Sequence, residues 1–253
     1  MDEIIFLGTG GARIVVFKQI RASGGLWISL DGTNILIDPG PGSLIQCLHK
    51  NVKLDPTKLH AILLTHKHLD HSAEINVMIE AMTEGGFKKR GIVLAPQDAI
   101  SGDPVVFRYL HGYINELIPL KEGGLYQIRD TSLEIPVRMK HPVETYSFTF
   151  KGGGHSISLL PDTRYFQALE SSFSSDVLII NLVLLQCRDI DHLCLEDAKK
   201  IIKGNRPKVA ILTHFGMSML RARPWELAES MSQEMGIKVI AAYDRMRFNL
   251  EGL

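Results

Sequence analysis

Cysteine is scarce in this sequence, with only Cys47, Cys187 and Cys194 among 253 residues. An odd number without CxxC spacing excludes a disulfide framework and a structural zinc ribbon, and leaves the expectation of reduced thiols or core residues. Net charge is lacking too: 28 Lys and Arg balance 28 Asp and Glu. There is therefore no strong nucleic-acid signal, although a local basic patch stays open. No apolar run reaches the ~20 residues of a membrane span. The N-terminus enters an apolar stretch at once (Glu3-Ile4-Ile5-Phe6-Leu7) without a basic leader, so a soluble cytoplasmic protein with no membrane partner is expected. Repeats at a fixed short period, low-complexity tracts and linkers are absent. A composition 45% hydrophobic and 22% charged fits one large domain over residues 1–253 with a sizeable core.

Histidine, by contrast, is concentrated. Thr65-His66-Lys67-His68-Leu69-Asp70-His71 follows the apolar run Ala61-Ile62-Leu63-Leu64 and leads into an amphipathic stretch from Ser72 onward. The layout predicts a buried strand, a tight polar loop and a helix to about Met82. Neutral imidazole and carboxylate are the ligands that zinc, manganese and iron accept. His66 and His68, two apart on an extended segment, point the same way, and Asp70 and His71 fall where the chain turns. A two-metal cup is the leading reading, and a solvated His-rich loop the bland one.

Along the chain, Ile4–Leu7 reads as a strand stopping at Gly8-Thr9-Gly10-Gly11. A dinucleotide loop is rejected there, since the third glycine would fall at Arg13 and no clear helix follows. A close turn near an active face explains the glycines. Residues 26–37 form a predicted hairpin around Asp31-Gly32. Asp38 then either caps a helix at Ser43–His49 or accepts a hydrogen bond from a metal-bound imidazole. Asp103-Pro104 predicts a helix through about Ile114. Further predicted strands lie at Ile92–Ala95, within 117–150, and at Ile157–Leu160, Val177–Ile180, Val209–Leu212, Lys238–Ala242 and Met246–Leu250. Helices are expected at Leu195–Lys203 and Pro224–Met235. Trp27 and Trp225 read as core, His49, His60 and His111 as structural, and Gly152-Gly153-Gly154-His155 as a hairpin tip. This order, without steady βαβ alternation, predicts an α/β protein with two sheets and outer helices.

One pattern recurs: an apolar strand that stops at a metal-competent residue. Asp38, His141, Asp162 and His214 each stand at such an end, as does the His66–His71 cluster. Convergence of His with carboxylates at strand ends is the mark of a metal site.

With those residues in place, the chain resembles the metallo-β-lactamase superfamily of hydrolases, whose five motifs it matches in order over nearly its full length. Asp38 matches the first, His66-x-His68-x-Asp70-His71 the second, His141 the third, Asp162 the fourth and His214 the fifth. The resemblance implies a four-layer αββα sandwich and two divalent metal ions, zinc being the expected ion, with manganese and iron as alternatives. It further implies that His66, His68 and His141 hold one metal and Asp70, His71 and His214 the other, with Asp162 bridging and Asp38 behind them. The implied chemistry is hydrolysis by a hydroxide shared between the metals, with Asp70 orienting or deprotonating the attacking water.

Phe6–Gly11 and Leu212-Thr213-His214-Phe215 resemble ribonuclease Z and related cyclic-nucleotide phosphodiesterases. His192, just before the predicted helix at Leu195, either contacts the reacting group, as in that branch, or caps the helix from solvent. Two departures count against ribonuclease Z itself. Where that family carries His-Glu-Ala-Thr, this chain has Ile180-Asn181-Leu182-Val183, and the long inserted tRNA-gripping arm is missing. The expected substrate is a small phosphodiester or similar ester. A thioester or lactone hydrolase, or a non-catalytic metal-binding protein, are the alternatives, and a homodimer is compatible with the sequence.

Overall fold

A computed structural model describes residues 2–253. Chain order runs β1 (Glu3–Phe6), α1 (Ala12–Phe17), β2 (Leu26–Leu30), β3 (Thr33–Ile37), α2 (Ser43–Leu48), β4 (Ala61–Leu63), α3 (Leu69–Ser72), α4 (Ile75–Met82), β5 (Ile92–Ala95), α5 (Gln97–Ile100) and β6 (Glu116–Pro119). The second half continues with β7 (Leu125–Ile128), β8 (Thr131–Glu134), β9 (Phe148–Gly152), β10 (His155–Leu160), β11 (Val177–Asn181), α6 (Leu195–Asn205), β12 (Val209–Thr213), α7 (Met217–Arg221), α8 (Pro224–Met235), β13 (Lys238–Ala241) and β14 (Met246–Asn249).

Two seven-stranded sheets result, ordered β14-β1-β2-β3-β4-β5-β6 and β13-β12-β11-β10-β9-β8-β7. Each is half antiparallel and half parallel: β3 to β6 run parallel in the first, β10 to β13 in the second. Successive side chains point to opposite faces of a strand, and the sequence obeys this in both sheets. Ile4 and Phe6 of β1, Ala61 and Leu63 of β4, Ile179 of β11 and Ile211 of β12 fill one core between the sheets. Ile5, Ile62 and Val93 face outward onto Ile75, Met78, Ile79 and Met82 of α4. Leu178, Ile180, Ala210 and Leu212 face outward onto α6 and α8. Apolar runs buried on both faces therefore mean helices on both outer surfaces, and the expected four-layer αββα sandwich is the observed fold.

Several local expectations are corrected. The helix from Asp103 to Ile114 is absent; only a 3-10 turn at Arg108–Gly112 forms. Asn76 competes for the backbone there, its Nδ2 donating to the Val105 carbonyl at 2.8 Å and its Oδ1 accepting from the Phe107 N–H at 2.9 Å. A short helix, α1, does follow the glycine loop. The single helix after His71 is broken in two at Glu74, whose carboxylate instead accepts the Gly42 and Leu44 N–H groups at the start of α2. Trp27 is core, but Trp225 is 51% exposed, with the Arg223 guanidinium 5.7 Å from its ring centre. Cys187 and Cys194 are not separate thiols: they form a disulfide, their Cα atoms 4.9 Å apart. The chain doubles back between them, with Leu184 N–H donating to the Leu193 carbonyl at 3.1 Å, a proximity no sequence spacing announces. Cys47 is free and buried. No helix among the described residues is long and apolar enough to cross a membrane.

Candidate metal centre

Parallel strands release their side chains at carboxyl ends, and both sheets release theirs at the same edge. Asp38 follows β3, the His66–His71 segment follows β4, Asp162 follows β10 and His214 follows β12, whereas His141, expected at a strand end, lies on the loop between β8 and β9. Asp38 and His214 adopt φ of 52° and 58°, the left-handed region that Asp and His enter more readily than most residues. Such backbone settings cluster at functional sites.

Seven of the expected ligands meet there. The donor atoms of His66, His68 and His141 form one group within 4.8 Å, and those of Asp70, His71 and His214 form another. In the first, His141 Nε2 lies 3.1 Å from His68 Nδ1. In the second, His71 Nε2 and His214 Nε2 stand 3.8 and 3.7 Å from the same Asp70 oxygen. Asp162 approaches His71 with one oxygen (3.7 Å) and His214 with the other (3.5 Å). In a tetrahedral shell, zinc–nitrogen bonds of ~2.0–2.1 Å place neighbouring donors about 3.3 Å apart, so these separations suit a shared cation.

The hydrogen bonds behind the ligands fix which ring nitrogen faces inward. Asp38, 7% exposed, accepts the Thr65 N–H at 2.7 Å and the Thr65 hydroxyl at 2.6 Å. It also accepts His71 Nδ1–H at 2.9 Å. The Thr65 oxygen, its own proton committed to Asp38, accepts His66 Nδ1–H at 3.0 Å. His141 Nδ1–H points to the Asp191 carbonyl at 3.2 Å. In the neutral rings of His66 and His141 this leaves Nε2 with a lone pair aimed into the site, the arrangement that outer hydrogen bonds impose on metal-binding imidazoles. His71 would present the same lone pair once a cation displaced its second proton. His66 Nε2, His71 Nε2 and His214 Nε2 are buried without any hydrogen-bond partner, as is His192 Nδ1. Buried polar atoms are seldom left so; those of His71 and His214 both lie within 3.8 Å of Asp70 and Asp162 oxygens, which fits these residues to a divalent cation.

Electrostatics follow. Burial holds the imidazoles of His66, His68 and His141 below the ordinary histidine range, which keeps them neutral and ligand-competent. Burial opposes a charged His71 as well, but the Asp70 and Asp38 carboxylates outweigh it and raise that ring well above the usual value. Asp162 is likewise buried, and the His214 and His71 imidazoles overcome this to hold its carboxyl well below the usual carboxylate range. The Asp162 charge also reaches His66, His68 and His141, so it acts on both groups.

His192 joins the cluster, its Nδ1 3.4 Å from Asp162 and its ring 5.6 Å from that of His141. It does not cap α6; the N-cap is Cys194, whose N–H donates to the Asp197 carboxylate in the first turn at 3.1 Å. Asp38 does not cap α2 either, whose N-cap is Gly42. Sequence reading missed Thr65, and it missed Asn181, whose Nδ2 donates to Asp162 at 3.0 Å. Gly11, in the glycine turn expected near the active face, packs so close that a Cβ there would lie 2.4 Å from the His214 ring and carbonyl oxygen. Adjacency to a ligand was the available signal for Thr65; for Asn181 it was the end of a strand.

Residues 33–215 match the model of a beta-lactamase superfamily domain. An uncharacterized protein of Methanocaldococcus jannaschii is 31% identical over 248 residues, covering 95% of this chain and 92% of that one. A ribonuclease Z of Thermococcus onnurineus is 26% identical over 64% of this chain, which spans about half (51%) of that relative. Among solved structures, the metallo-beta-lactamase fold protein YhfI of Bacillus subtilis superposes with a TM-score of 0.78 at 17% identity, with 98% of each chain covered.

Proposed function

The chain belongs to the beta-lactamase superfamily, and from that premise we propose that it is a hydrolase that uses two divalent cations to cleave a phosphodiester or a similar small ester. One observation carries the reading: the buried Nε2 atoms of His71 and His214 have no hydrogen-bond partner and stand 3.5–3.8 Å from carboxylate oxygens of both Asp70 and Asp162. His66, His68 and His141 hold one cation, Asp70, His71 and His214 the other, and Asp162 serves both. Cations so placed activate water at neutral pH and neutralise an anionic substrate oxygen.

The chain's own residues do the rest. Asp70 orients the attacking water and takes its proton. His192 is within reach of the reacting centre and gives a proton to the leaving oxygen, a general-acid role suited to imidazole near neutral pH. Asp38 and Thr65 lock His71 and His66, the Asp191 carbonyl locks His141, and the Asn181 amide holds Asp162. The phosphodiester preference is supported by the relatives named ribonuclease Z. A tRNA-sized substrate is disfavoured by the balanced charge and by Ile180-Asn181 at the position of that family's catalytic His-Glu pair.

Metal content after reconstitution, with rates on bis(p-nitrophenyl) phosphate, a thioester and a homoserine lactone, tests this. Two metals per chain and phosphodiester turnover are expected. Fewer than one metal per chain sinks the dinuclear site, and turnover of the lactone or thioester alone sinks the phosphodiester assignment. Metal binding without turnover of any of the three makes the protein a metal binder and not an enzyme. Asp162→Ala should lose at least one metal; retention of both refutes its role.

A further inference from the structure

At the end of the sandwich opposite the metal ligands, a cleft of about 330 Å³ opens between the two sheets, lined by His60, Arg90, Asn115, Gln127 and Arg129. His60 immediately precedes β4, whose other end delivers His66. Six extended residues at about 3.3 Å each put the two places roughly 20 Å apart.

The charged and ring groups lining the cleft are two guanidinium ions and an imidazole, with no carboxylate among the lining residues. Arg90 is fixed by donating to the Thr57 and Leu59 carbonyls. Among the described residues, neither Arg90 nor Arg129 forms an ion pair with a carboxylate. The tautomer of His60 is set by the backbone. The Asn34 N–H donates to His60 Nδ1 at 2.9 Å, so that nitrogen carries a lone pair. Burial, with the charges of Arg129 and Arg90, holds the ring below the ordinary histidine range, hence neutral. Its proton therefore sits on Nε2. Arg129 Nη1 stands 2.8 Å from that same Nε2. A guanidinium has donors only, so two N–H groups face one another. An oxygen acceptor placed beside this pair would give both N–H groups a partner.

We propose that this cleft is an anion site for a phosphate group, held by Arg129, Arg90 and the His60 Nε2–H. Guanidinium forks match phosphate oxygens in pairs, and a tetrahedral dianion can present separate oxygens to three donors. The site is distinct from the metal centre and does not depend on its chemistry.

The test uses the full-length protein stripped of metal with a chelator, so that phosphate has no cation to bind. Inorganic phosphate is titrated at constant ionic strength by calorimetry and by following the His60 imidazole signals in NMR spectra. One saturable site with a dissociation constant in the millimolar range or below, and shifted His60 signals, are expected. Arg129→Gln, on an exposed turn, should keep the fold and weaken binding about tenfold or more. Arg90→Gln should weaken it too; should that variant unfold, Arg129→Gln alone decides. No saturation by 10 mM phosphate, or unchanged affinity in folded Arg129→Gln, overturns the proposal. Acetate binding more tightly than phosphate overturns the assignment of phosphate.

Discussion

Asp38→Asn separates orientation from ligation, because Asp38 touches His71 and Thr65 as an acceptor only. Its carboxylate takes three donors: the Thr65 N–H, the Thr65 hydroxyl and His71 Nδ1–H. Alanine is the blunter change. It strands two donors that cannot rotate away, at about 1–3 kcal/mol each. It also places a plain side chain at φ 52°, at roughly 1–2 kcal/mol. That total rivals a typical stability of about 5–15 kcal/mol. Asparagine keeps the volume and tolerates the left-handed backbone. With its oxygen on the Thr65 N–H, its amide nitrogen faces the Thr65 oxygen and His71 Nδ1. The amide donates where the carboxylate accepted, so His71 flips its proton to Nε2 and withdraws the lone pair from the site. Loss of such an orienting partner costs about 10–100-fold in metal affinity, or ~1.4–2.7 kcal/mol. Competition against a chromophoric chelator measures it, with thermal unfolding of the metal-free protein alongside. Metal affinity within threefold of wild type in a folded Asp38→Asn protein would refute the reasoning.

Three further outcomes are expected. Gly11→Ala, at φ −129°, meets no backbone penalty but drives its Cβ into His214; metal content should fall by about one per chain, whereas Gly112→Ala, facing open space, should leave it and the melting temperature unchanged. In denaturant without reductant, thiol titration should find one reactive cysteine, Cys47, and three after reduction; three at the outset would remove the Cys187–Cys194 bridge. Reduction should then lower stability by roughly 2.5 kcal/mol, from the chain entropy of an eight-residue loop. Asp176 accepts the Ser156 N–H and hydroxyl at 2.8 and 2.7 Å and pairs with Lys208 at 2.9 Å. Burial resists, but these partners lower its pKa. A carboxylate depressed in the folded state stabilises above its unfolded pKa of about 3.9 and loses that contribution as pH falls through the folded value. Asp176→Asn should therefore lower stability at pH 7 by about 1 kcal/mol and bring wild type and variant together in acid. A constant gap down to pH 2 would contradict this.

The candidate metal ligands were legible because most sit where an apolar strand stops, and strand ends in parallel sheets share an edge; His141, on the loop between β8 and β9, was legible through the family resemblance alone. Continuous apolar runs along β1, β4, β11 and β12 made both outer helical layers readable too. What escaped was long-range. Thr65 and Asn181 are ordinary polar residues whose roles exist only because Asp38 and Asp162 arrive from other strands. The pairing of β14 with β1 leaves no local trace. The segment 103–114 has an N-cap, a proline and a four-residue apolar spacing, yet Asn76, from another element, took its backbone hydrogen bonds. Cys187 and Cys194 lie on a loop whose closure depends on the Leu184–Leu193 contact.

Asp244 has a consequence for timing. Its carboxylate accepts the Thr9 N–H at 2.9 Å and the Ala22 N–H at 2.8 Å, across 235 and 222 residues. Thr9 in turn accepts the Phe215 N–H at 2.8 Å, beside His214. The loop that backs His214 is thus stapled by residues more than 200 positions apart in the chain. Contacts of such separation close late, after loop entropy has been paid. If the proposed function holds, cation capture by the complete cup would belong to the end of folding, long after the His66–His71 segment has been made.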